Sequence, residues 1–440
     1  MTAIDLRSLV ADELEAVRRR SLDLLAPLPD PELERQISPI MSPLVWDLAH
    51  VGNYEEQWLL RAVTGAPPLD GSLDSMYDAF RHPRKNRPSL PLLRPAAARH
   101  YIAEVRDRVL DSLDGRELAV DADALVDRGF VYGMVIQHEH QHDETMLATI
   151  QLMEDGAYRP VAPPTPAPPA GGPPGRDEVF VPGGTFMMGT SDNAWAYDNE
   201  RPGHELDVAP FFIDTVPVTN RGFNEFVEDG GYRNPRWWDD EGWAWRRDEA
   251  VEHPQFWRRE GGGRWSRVRF GWREPLPLDE PVQHVCWHEA AAYACWAGKR
   301  LPTEVEWEKA ASWDPATATK RTYPWGDEPP DERRANLGQT HLRPAAVGAY
   351  PAGASAYGVQ QLVGDVWEWT ASDFGPYPGF ESFPYREYSG VFFGAGYKVL
   401  RGGSWATDPV ATRTTFRNWD LAIRRQIFAG FRCARDGDAS

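Results

Sequence analysis

Residues 160–175 read PVAPPTPAPPAGGPPG, and this proline-rich stretch divides the chain into two regions. Proline has a fixed φ and no backbone N–H, so such a segment forms neither helix nor sheet and favours an extended, semi-rigid linker. The chain has 440 residues, more than one ordinary core usually supports. The sequence therefore predicts two domains, residues 1–157 and 177–440, joined by a linker at 158–176.

The region before the linker has the apolar periodicity of helices. Apolar residues recur at helical spacing in four segments, at residues 5–24, 44–58, 93–113 and 122–154. The dipeptide Ser42-Pro43 is typical of an N-cap followed by proline at the first helical position. Four helices with modest connections predict a four-helix bundle.

The region after the linker has a different texture. Short apolar runs, such as EVFVPGGTFMMGT at 178–190, are interrupted by glycine, proline and tryptophan. Helices are expected near 221–229 and 287–297. Most of the 19 tryptophans lie after residue 230, which indicates an aromatic-rich core. This pattern predicts an α+β fold with much irregular loop.

Composition argues against several classes of protein. The formal net charge of −19 disfavours a nucleic-acid partner, because duplex-binding proteins usually present a basic surface. Three cysteines are too few for a disulfide framework, which fits a reducing cytoplasm. The charged N-terminus lacks the apolar core of a signal peptide, and no stretch approaches the roughly 20 apolar residues that span a bilayer. We expect a cytoplasmic protein without membrane or nucleic-acid partners, as a monomer or weak oligomer.

The octapeptide QHEHQHDE at 137–144 is the sharpest local feature. On a helix, His138 and His142 lie one turn apart on the apolar face, where two imidazoles can bind one metal ion. His140 is expected to point away from that face into solvent. His50, in WDLAHVGNYEEQW, lies beside the apolar stripe of another helix and is the candidate third ligand. A merely packed or solvated histidine pair is the alternative, and imidazole alone does not choose among zinc, copper, iron and nickel.

Both regions resemble known families. The first resembles the DinB-type helical bundle, whose metal ligands are a histidine on one helix and an HxxxHxE motif on another; His50 and residues 138–144 match this set. The second resembles the formylglycine-generating-enzyme, or sulfatase-modifying-factor, fold, which is a C-type-lectin-like scaffold. The motifs that carry the second resemblance are VPGGTFMMGT (181–190), PVTNRGFNEFV (217–227), PVQHVCWHEAAAYACWAGKRLPTEVEWEKAA (281–311), YPWGD (323–327), LVGDVWEWT (362–370), VLRGGSW (399–405) and GFRCAR (430–435).

The two regions in this order resemble the sulfoxide synthases of ergothioneine biosynthesis. The resemblance implies an oxidoreductase, a non-haem Fe(2+)- and O2-dependent hercynine oxygenase. Its substrates would be hercynine, γ-glutamylcysteine and O2, and its product γ-glutamyl-hercynylcysteine S-oxide. The iron would be bound by His50, His138 and His142, and Glu144 would orient an imidazole without binding the metal. Both regions would then be needed for turnover, the first for the metal and the second largely for the organic substrates.

The resemblance also assigns residues to the thiol substrate, which carries carboxylates that arginine forks can bind. Arg87 matches the family's carboxylate-binding arginine, with Arg84 as the alternative. Asp420 and Arg424 resemble the pair that holds the amino and carboxylate groups of γ-glutamylcysteine.

Further matches concern hercynine and the catalytic tyrosine. The residues matched to the hercynine side are Gln141, Asn418, Trp419 and Tyr388. An aromatic face there could hold a trimethylammonium group by cation–π attraction. A loop tyrosine should exchange a proton or hydrogen atom near the iron, with Tyr385 preferred and Tyr377 left open.

Other functions remain open at this point. A related synthase would use cysteine or a selenium donor in place of γ-glutamylcysteine. A formylglycine-generating-type oxidase would need a reactive cysteine pair near the end of its domain, where only Cys433 stands; Cys286 and Cys295 are expected to be core residues. A non-catalytic lectin-like binding module would not need three inward-facing histidines.

Overall fold

The chain folds into two compact units in the computed structural model. The residues described are 5–114, 116, 118, 123–153, 156, 158–169, 171 and 177–437. The first unit is Met1–Pro163 with Asn193–Trp195 and Phe270–Trp272, and the second unit is the remainder. Among the residues described, no helix is long and apolar enough to cross a membrane.

Helices make up the first unit. They are α1 (Leu6–Leu25), α2 (Asp30–Glu34), α3 (Leu44–Glu55), α4 (Ser72–Met76), α5 (Pro95–Leu113) and α6 (Phe130–Gln151). A π-helical turn at Glu56–Ala62 continues α3, and short 3-10 turns occupy Arg84–Ser89 and Asp127–Gly129. The long helices are α1, α3, α5 and α6, in agreement with the four helical segments predicted from apolar spacing.

Two predicted helix starts were wrong for local reasons. Helix α3 begins at Leu44 with Pro43 as its N-cap and without a side-chain cap. The hydroxyl of Ser42 instead accepts a hydrogen bond of 2.6 Å from Arg87 Nη1. Helix α6 begins at Phe130 and not near 122, because Gly129 has φ +72 and separates it from the preceding turn. Residues 122 and 154 of that prediction lie outside the described part of the chain.

A buried cluster of four charged side chains ties the long helices together. Arg18 of α1 and Arg106 of α5 each contact Glu55 of α3 and Glu139 of α6. The N–O distances are 2.6 and 2.7 Å from Arg18 and 2.6 and 3.1 Å from Arg106. Burial raises the pKa of Glu139, but the two guanidinium groups outweigh it and lower that pKa to about 2. Glu139 is therefore ionised, and its contacts with Arg18 and Arg106 fix how α6 is rotated against its neighbours.

The second unit combines short helices with small sheets. Its helices are α7 (Asn220–Glu228), α8 (Asp240–Asp248), α9 (Trp287–Trp296) and α10 (Glu304–Ser312). Short 3-10 turns lie at Asp198–Glu200, Gly231–Arg233, Pro235–Trp237, Gly261–Gly263, Pro351–Gly353, Arg386–Tyr388 and Pro409–Ala411. The predictions at 221–229 and 287–297 match α7 and α9 closely, whereas α8 and α10 were not predicted.

Fourteen strands occur in the described ranges. They are β1 (Glu178–Val181), β2 (Gly184–Met188), β3 (His204–Val208), β4 (Phe211–Asp214), β5 (Trp257–Arg259), β6 (Trp265–Arg269), β7 (Trp272–Pro275), β8 (Trp313–Asp314), β9 (Thr319–Lys320), β10 (Trp367–Asp373), β11 (Tyr397–Arg401), β12 (Asn418–Leu421), β13 (Ala429–Gly430) and β14 (Ala434–Asp436). They form sheets of order β1-β4-β14, β2-β3, β5-β6-β7, β8-β9 and β12-β11-β10-β13.

The core of the second unit surrounds Trp307 of α10. Its ring is fully buried among inward side chains of β1, β2 and β4, and its Nε1 donates a 2.8 Å hydrogen bond to Glu368. Strand β1 shows why the sheet packs there: Val179 and Val181 alternate inward while Phe180 is exposed. The aromatic-rich core expected from the tryptophan content is thus present in this unit.

Candidate metal centre and substrate-binding residues

Three histidines of the first unit come together between α3 and α6. His50 lies on α3, while His138 and His142 lie one turn apart on α6. Their ring centroids are separated by 5.1 Å (His50–His138), 4.7 Å (His50–His142) and 4.6 Å (His138–His142). One nitrogen from each ring lies within 4.8 Å of the others, a spacing that could hold a metal ion.

Hydrogen bonds at Nδ1 fix the tautomers of two of these rings. His50 Nδ1 lies 2.7 Å from the carbonyl oxygen of Tyr77, and His142 Nδ1 lies 3.0 Å from Oδ1 of Asp47. A carbonyl or carboxylate oxygen can only accept, so each Nδ1 carries the proton and each Nε2 keeps its lone pair. Histidines that bind metals usually make such a bond from the other ring nitrogen.

The surroundings also favour the neutral form of His50 and His138. Burial, followed by the neighbouring His142, lowers the pKa of His50 and of His138 well below the ordinary value. A neutral imidazole is the form that binds a metal ion. Stacking with nearly parallel planes holds two of the rings in place. The ring centroids of Trp46 and His50 lie 4.6 Å apart, and those of Tyr54 and His138 lie 3.8 Å apart. These residues therefore fit a transition-metal ion such as iron or zinc.

One expectation for a neighbouring residue on α6 was wrong. His140 is buried, not solvated, and its Nδ1 lies 3.6 Å from Oδ2 of Asp143. It is buried because nearly every face of α6 packs inside the unit. The Nδ1 of His142 lies 3.0 Å from Oδ1 of Asp47 on α3, and the imidazole-orienting role of Glu144 stays a prediction. Asp47 was missed, although an acidic residue within the apolar run LVWDLAHVG (44–52) was a visible signal.

Arg87 is a buried cation in the first unit. Its guanidinium carbon lies 3.5 Å from the centre of the Trp46 ring. Its N–H groups donate to oxygens of Ser42, His82 and Ala79. It forms no ion pair with any residue in the ranges described, and burial lowers its pKa to about 10. Arg84, the alternative, is exposed and donates to the carbonyl of Ile40.

The residues predicted to bind substrate in the second unit lie on and after β12. This edge strand pairs with β11, so that Asp420 faces Lys398 and Trp419 faces Val399. Because side chains alternate along a strand, Asn418 and Asp420 share one face and Trp419 occupies the other. Arg424 Nε lies 3.4 Å from Asp420 Oδ1, and both side chains are half-buried. Gln141 is half-buried next to His142 in the first unit.

Aromatic contacts link Trp419 to the loop that holds two of the candidate tyrosines. Trp419 stacks on Phe374 with ring centroids 4.2 Å apart, and the centroid of the Tyr388 ring lies 6.2 Å from that of Trp419 in a T-shaped arrangement. Tyr388 in turn stacks on Tyr197 at 4.2 Å and contacts Tyr385 at 6.2 Å. The structure therefore groups Tyr385, Tyr388 and Trp419 in the second unit.

Tyr377 lies in a different environment. Its ring belongs to the core of the second unit and is 6% exposed. Its hydroxyl is buried without a hydrogen-bond partner among the described residues, and burial raises its pKa well above the ordinary value. Tyr385 is only half-buried, which leaves it the better placed of the two to meet a small molecule.

The cysteines are free thiols in two kinds of environment. Cys286 and Cys433 are buried, and burial raises the pKa of both thiols well above the ordinary value. The prediction that Cys295 is a core residue was wrong, because it lies in the last turn of α9 and is exposed.

Two protein-family models together match most of the chain. A model of the DinB superfamily matches residues 13–146. A model of the sulfatase-modifying factor enzyme 1-like domain matches residues 165–437. The chain thus joins a DinB-type bundle to a sulfatase-modifying-factor-type domain, and the predicted fold class is confirmed.

Individual relatives show which family shares both domains with this chain. A hercynine oxygenase of Mycolicibacterium thermoresistibile is 53% identical over 99% of this chain and 96% of its own length. A hercynine oxygenase of Mycobacterium tuberculosis is 52% identical over 97% of this chain and 98% of its own. A formylglycine-generating enzyme of Streptomyces coelicolor is 35% identical but covers only 60% of this chain, and 90% of its own length. The chain belongs to the hercynine oxygenase family, as its resemblances predicted.

Proposed function

We propose that the protein is a hercynine oxygenase that joins hercynine to a thiol and oxidises the sulfur, as an iron(II)- and oxygen-dependent sulfoxide synthase. The observation that carries this proposal is the cluster of three histidines, in a chain that matches hercynine oxygenases along nearly its whole length. In the overall reaction, a C–H and an S–H bond are replaced by one C–S bond. One oxygen atom of O2 goes to the sulfur and the other leaves as water.

His50, His138 and His142 are the residues that would hold the iron. Three neutral nitrogen ligands would leave the ion its double positive charge, and small molecules could bind beside them. Iron(II), when bound, supplies the redox chemistry with oxygen, while the protein supplies orientation and electrostatics.

The thiol substrate is proposed to be γ-glutamylcysteine. Asp420 and Arg424 lie 3.4 Å apart and carry opposite charges, so together they match an ammonium group beside a carboxylate. Arg87 is proposed to bind a carboxylate, because it is a buried cation that makes no direct ion pair within the described ranges. Anion binding there would offset the cost of burying its charge.

Hercynine carries a trimethylammonium group and an imidazole. Trp419 is proposed to face the trimethylammonium by cation–π attraction, with Tyr388 beside it. Asn418 and Gln141 are proposed to donate or accept hydrogen bonds with the polar groups of hercynine. Tyr385 is the proposed proton or hydrogen-atom partner, through its hydroxyl, with Tyr377 as the less favoured candidate.

The deciding experiment is anaerobic loading of the full chain with Fe(II), followed by hercynine, γ-glutamylcysteine and air. We expect mass spectrometry to detect a product that contains both substrates and one added oxygen atom. Cysteine in place of γ-glutamylcysteine tests the alternative thiol, and a selenium donor tests the other alternative. A chain that binds iron and yields no coupled product with any of these donors would contradict the proposal.

Matched variants test the residues. His142→Ala should lose the metal and the product together. Tyr385→Phe should bind metal normally and lower the rate of sulfoxide formation by about 100- to 10,000-fold, the range expected for loss of a general acid–base group. Tyr377→Phe is the matched control, because it also removes one tyrosine hydroxyl. If Tyr377→Phe lowers the rate and Tyr385→Phe does not, the roles of the two tyrosines must be exchanged.

A further inference from the structure

Asp47 is a buried acidic residue beside the histidine cluster. It lies on α3, three residues before His50, so the two side chains lie on the same side of the helix. Asp47 is 1% exposed, and its Oδ1 lies 3.0 Å from Nδ1 of His142 on α6. Helix α3 thus presents two groups to the cluster, the imidazole of His50 and a carboxylate that contacts His142.

The carboxylate determines which nitrogen of His142 can bind a metal ion. Because it only accepts hydrogen bonds, Nδ1 of His142 must be the protonated nitrogen and Nε2 the one with the lone pair. The same bond restricts rotation of the ring. The negative charge of the Asp47 carboxylate beside Nδ1–H also makes Nε2 of His142 a stronger electron donor to a metal ion.

The three histidines differ in what supports them. His50 donates to a neutral backbone carbonyl, that of Tyr77. Nδ1 of His138 is buried and has no hydrogen-bond partner within the described part of the chain. Of these three rings, His142 alone has a carboxylate of a described residue at its Nδ1.

Packing alone does not explain a charged group at this position. The second carboxylate oxygen of Asp47, Oδ2, is buried and makes no hydrogen bond to any described residue. A buried polar atom without a partner is costly, so an apolar side chain here would suit the stability of the bundle better. The hydrogen bond to His142 offers a reason for the carboxylate.

We propose that Asp47 is a positioning residue of the metal centre, which holds His142 in its metal-binding tautomer and orientation and strengthens it as a ligand. The inference rests on the metal centre of the proposed function and not on the identity of the substrates. It makes Asp47 a determinant of metal affinity although it is not itself a ligand.

The test measures Co(II) binding by the full-length protein, through competition with a chromophoric chelator, in wild type, Asp47→Asn and Asp47→Ala. We expect the dissociation constant to rise about 10- to 100-fold in Asp47→Ala, the usual range when a residue that supports a ligand is removed. Asp47→Asn keeps an acceptor oxygen without the charge. Its dissociation constant for Co(II) should therefore rise less than that of Asp47→Ala. The visible absorption bands of the bound Co(II) should also shift in Asp47→Ala, because the orientation of one ligand is released.

Asp143→Asn is the matched control. Asp143 is also buried and follows His142 directly, but its carboxylate accepts a hydrogen bond from Ser21 and lies 3.6 Å from Nδ1 of His140. The dissociation constant of Asp143→Asn for Co(II) should stay within about threefold of the wild-type value, a difference of less than 1 kcal/mol in binding free energy. Circular dichroism and thermal unfolding without metal show whether each variant is folded.

The outcomes separate this inference from the proposed function. If wild type binds Co(II) and both Asp47 variants bind it equally well, the inference is wrong and the metal centre stands. An equal loss of affinity in Asp143→Asn also overturns the inference, because any buried aspartate would then have the same effect. If wild type binds neither Co(II) nor Fe(II), the metal centre fails, and the positioning role of Asp47 fails with it.

Discussion

His284 is a buried imidazole in the second unit, far in sequence from the three histidines of the first. Its Nδ1 lies 3.1 Å from the carbonyl oxygen of Arg425, and the rings of Phe256 and Phe428 pack against it. The pKa of His284 is lowered to about 3, mainly by burial and further by the nearby charge of Arg267. The folded protein therefore keeps this ring neutral in mildly acidic solution.

The low pKa of His284 predicts how stability depends on pH. In the unfolded chain the imidazole has a pKa near 6.5, so the unfolded state gains a proton as the pH falls below 6.5 while the folded state does not. The stability that depends on the neutral ring is complete above about pH 6.5 and is lost as the pH falls towards 3. For one group, the loss between pH 7 and pH 5 is about 2 kcal/mol.

His284→Asn tests this prediction by urea unfolding at pH 7, 6 and 5. Asparagine does not titrate and tolerates the positive φ of 63° at this position. The variant should lose about 2 kcal/mol less than wild type over that pH range, even if it is less stable at pH 7. Parallel pH profiles in the two proteins would show that another group carries the effect.

The sequence predicted which histidines come together better than it predicted the groups around them. His138 and His142 were found because their i, i+4 spacing is visible in the chain. Asp47 and the Tyr77 carbonyl act across helices, and the spacing within one helix does not indicate which residue of another will meet it. The burial of His140 was missed for the same reason. Neighbouring segments cover nearly every face of α6, and the spacing within α6 does not show this.

The four-charge cluster of Arg18, Arg106, Glu55 and Glu139 joins one residue from each long helix of the first unit. Its side chains are at most 7% exposed. Removing one member of a buried ion cluster leaves an uncompensated charge and typically costs about 3–5 kcal/mol. Glu139→Gln should therefore lower the free energy of unfolding of this unit by about that amount, measured by urea denaturation.

Arg94→Gln provides the comparison for Glu139→Gln. Arg94 pairs with Glu34 at 2.6 Å, but its side chain is 80% exposed. Exposed ion pairs contribute little because water screens them. We expect no clear change of the urea midpoint in this variant, and a comparable loss in both variants would argue against a special role for the buried cluster.

The elements that were predicted and those that were missed differ in their signals. Helices α1, α5 and α7 have apolar stripes that can be read directly from the sequence. Helix α10 was missed because it is short and buried on most sides, although Thr303 and Glu306 form a reciprocal capping box at its start. That T-x-x-E signal was present in the sequence. The many short strands of the second unit depend on contacts distant in sequence, which local spacing does not reveal.

The whole chain is organised so that the proposed metal ligands all belong to the first unit. Metal binding should therefore raise the temperature of the unfolding transition that Glu139→Gln lowers. At a free metal concentration about 100 times the dissociation constant, the stabilisation should be about 2.7 kcal/mol. Differential scanning calorimetry of wild type, Glu139→Gln and His138→Ala measures it.

His138→Ala should abolish the metal-induced rise without preventing folding. A metal-induced shift that survives this substitution would place the bound metal elsewhere in the chain. The predicted boundary at residues 158–176 remains a sequence prediction, as does the expectation that both regions are needed for turnover.

The uneven exposure of the three thiols also makes the protein a ready subject for site-specific labelling. Cys295 is exposed, whereas Cys286 and Cys433 are buried with raised pKa values. Maleimide should therefore attach one spin label or fluorophore per native chain, at the end of α9, with no cysteine removed beforehand. A paramagnetic ion at the histidine cluster would then give a ruler in solution, since its effect on the label depends on the distance between the first unit and the second.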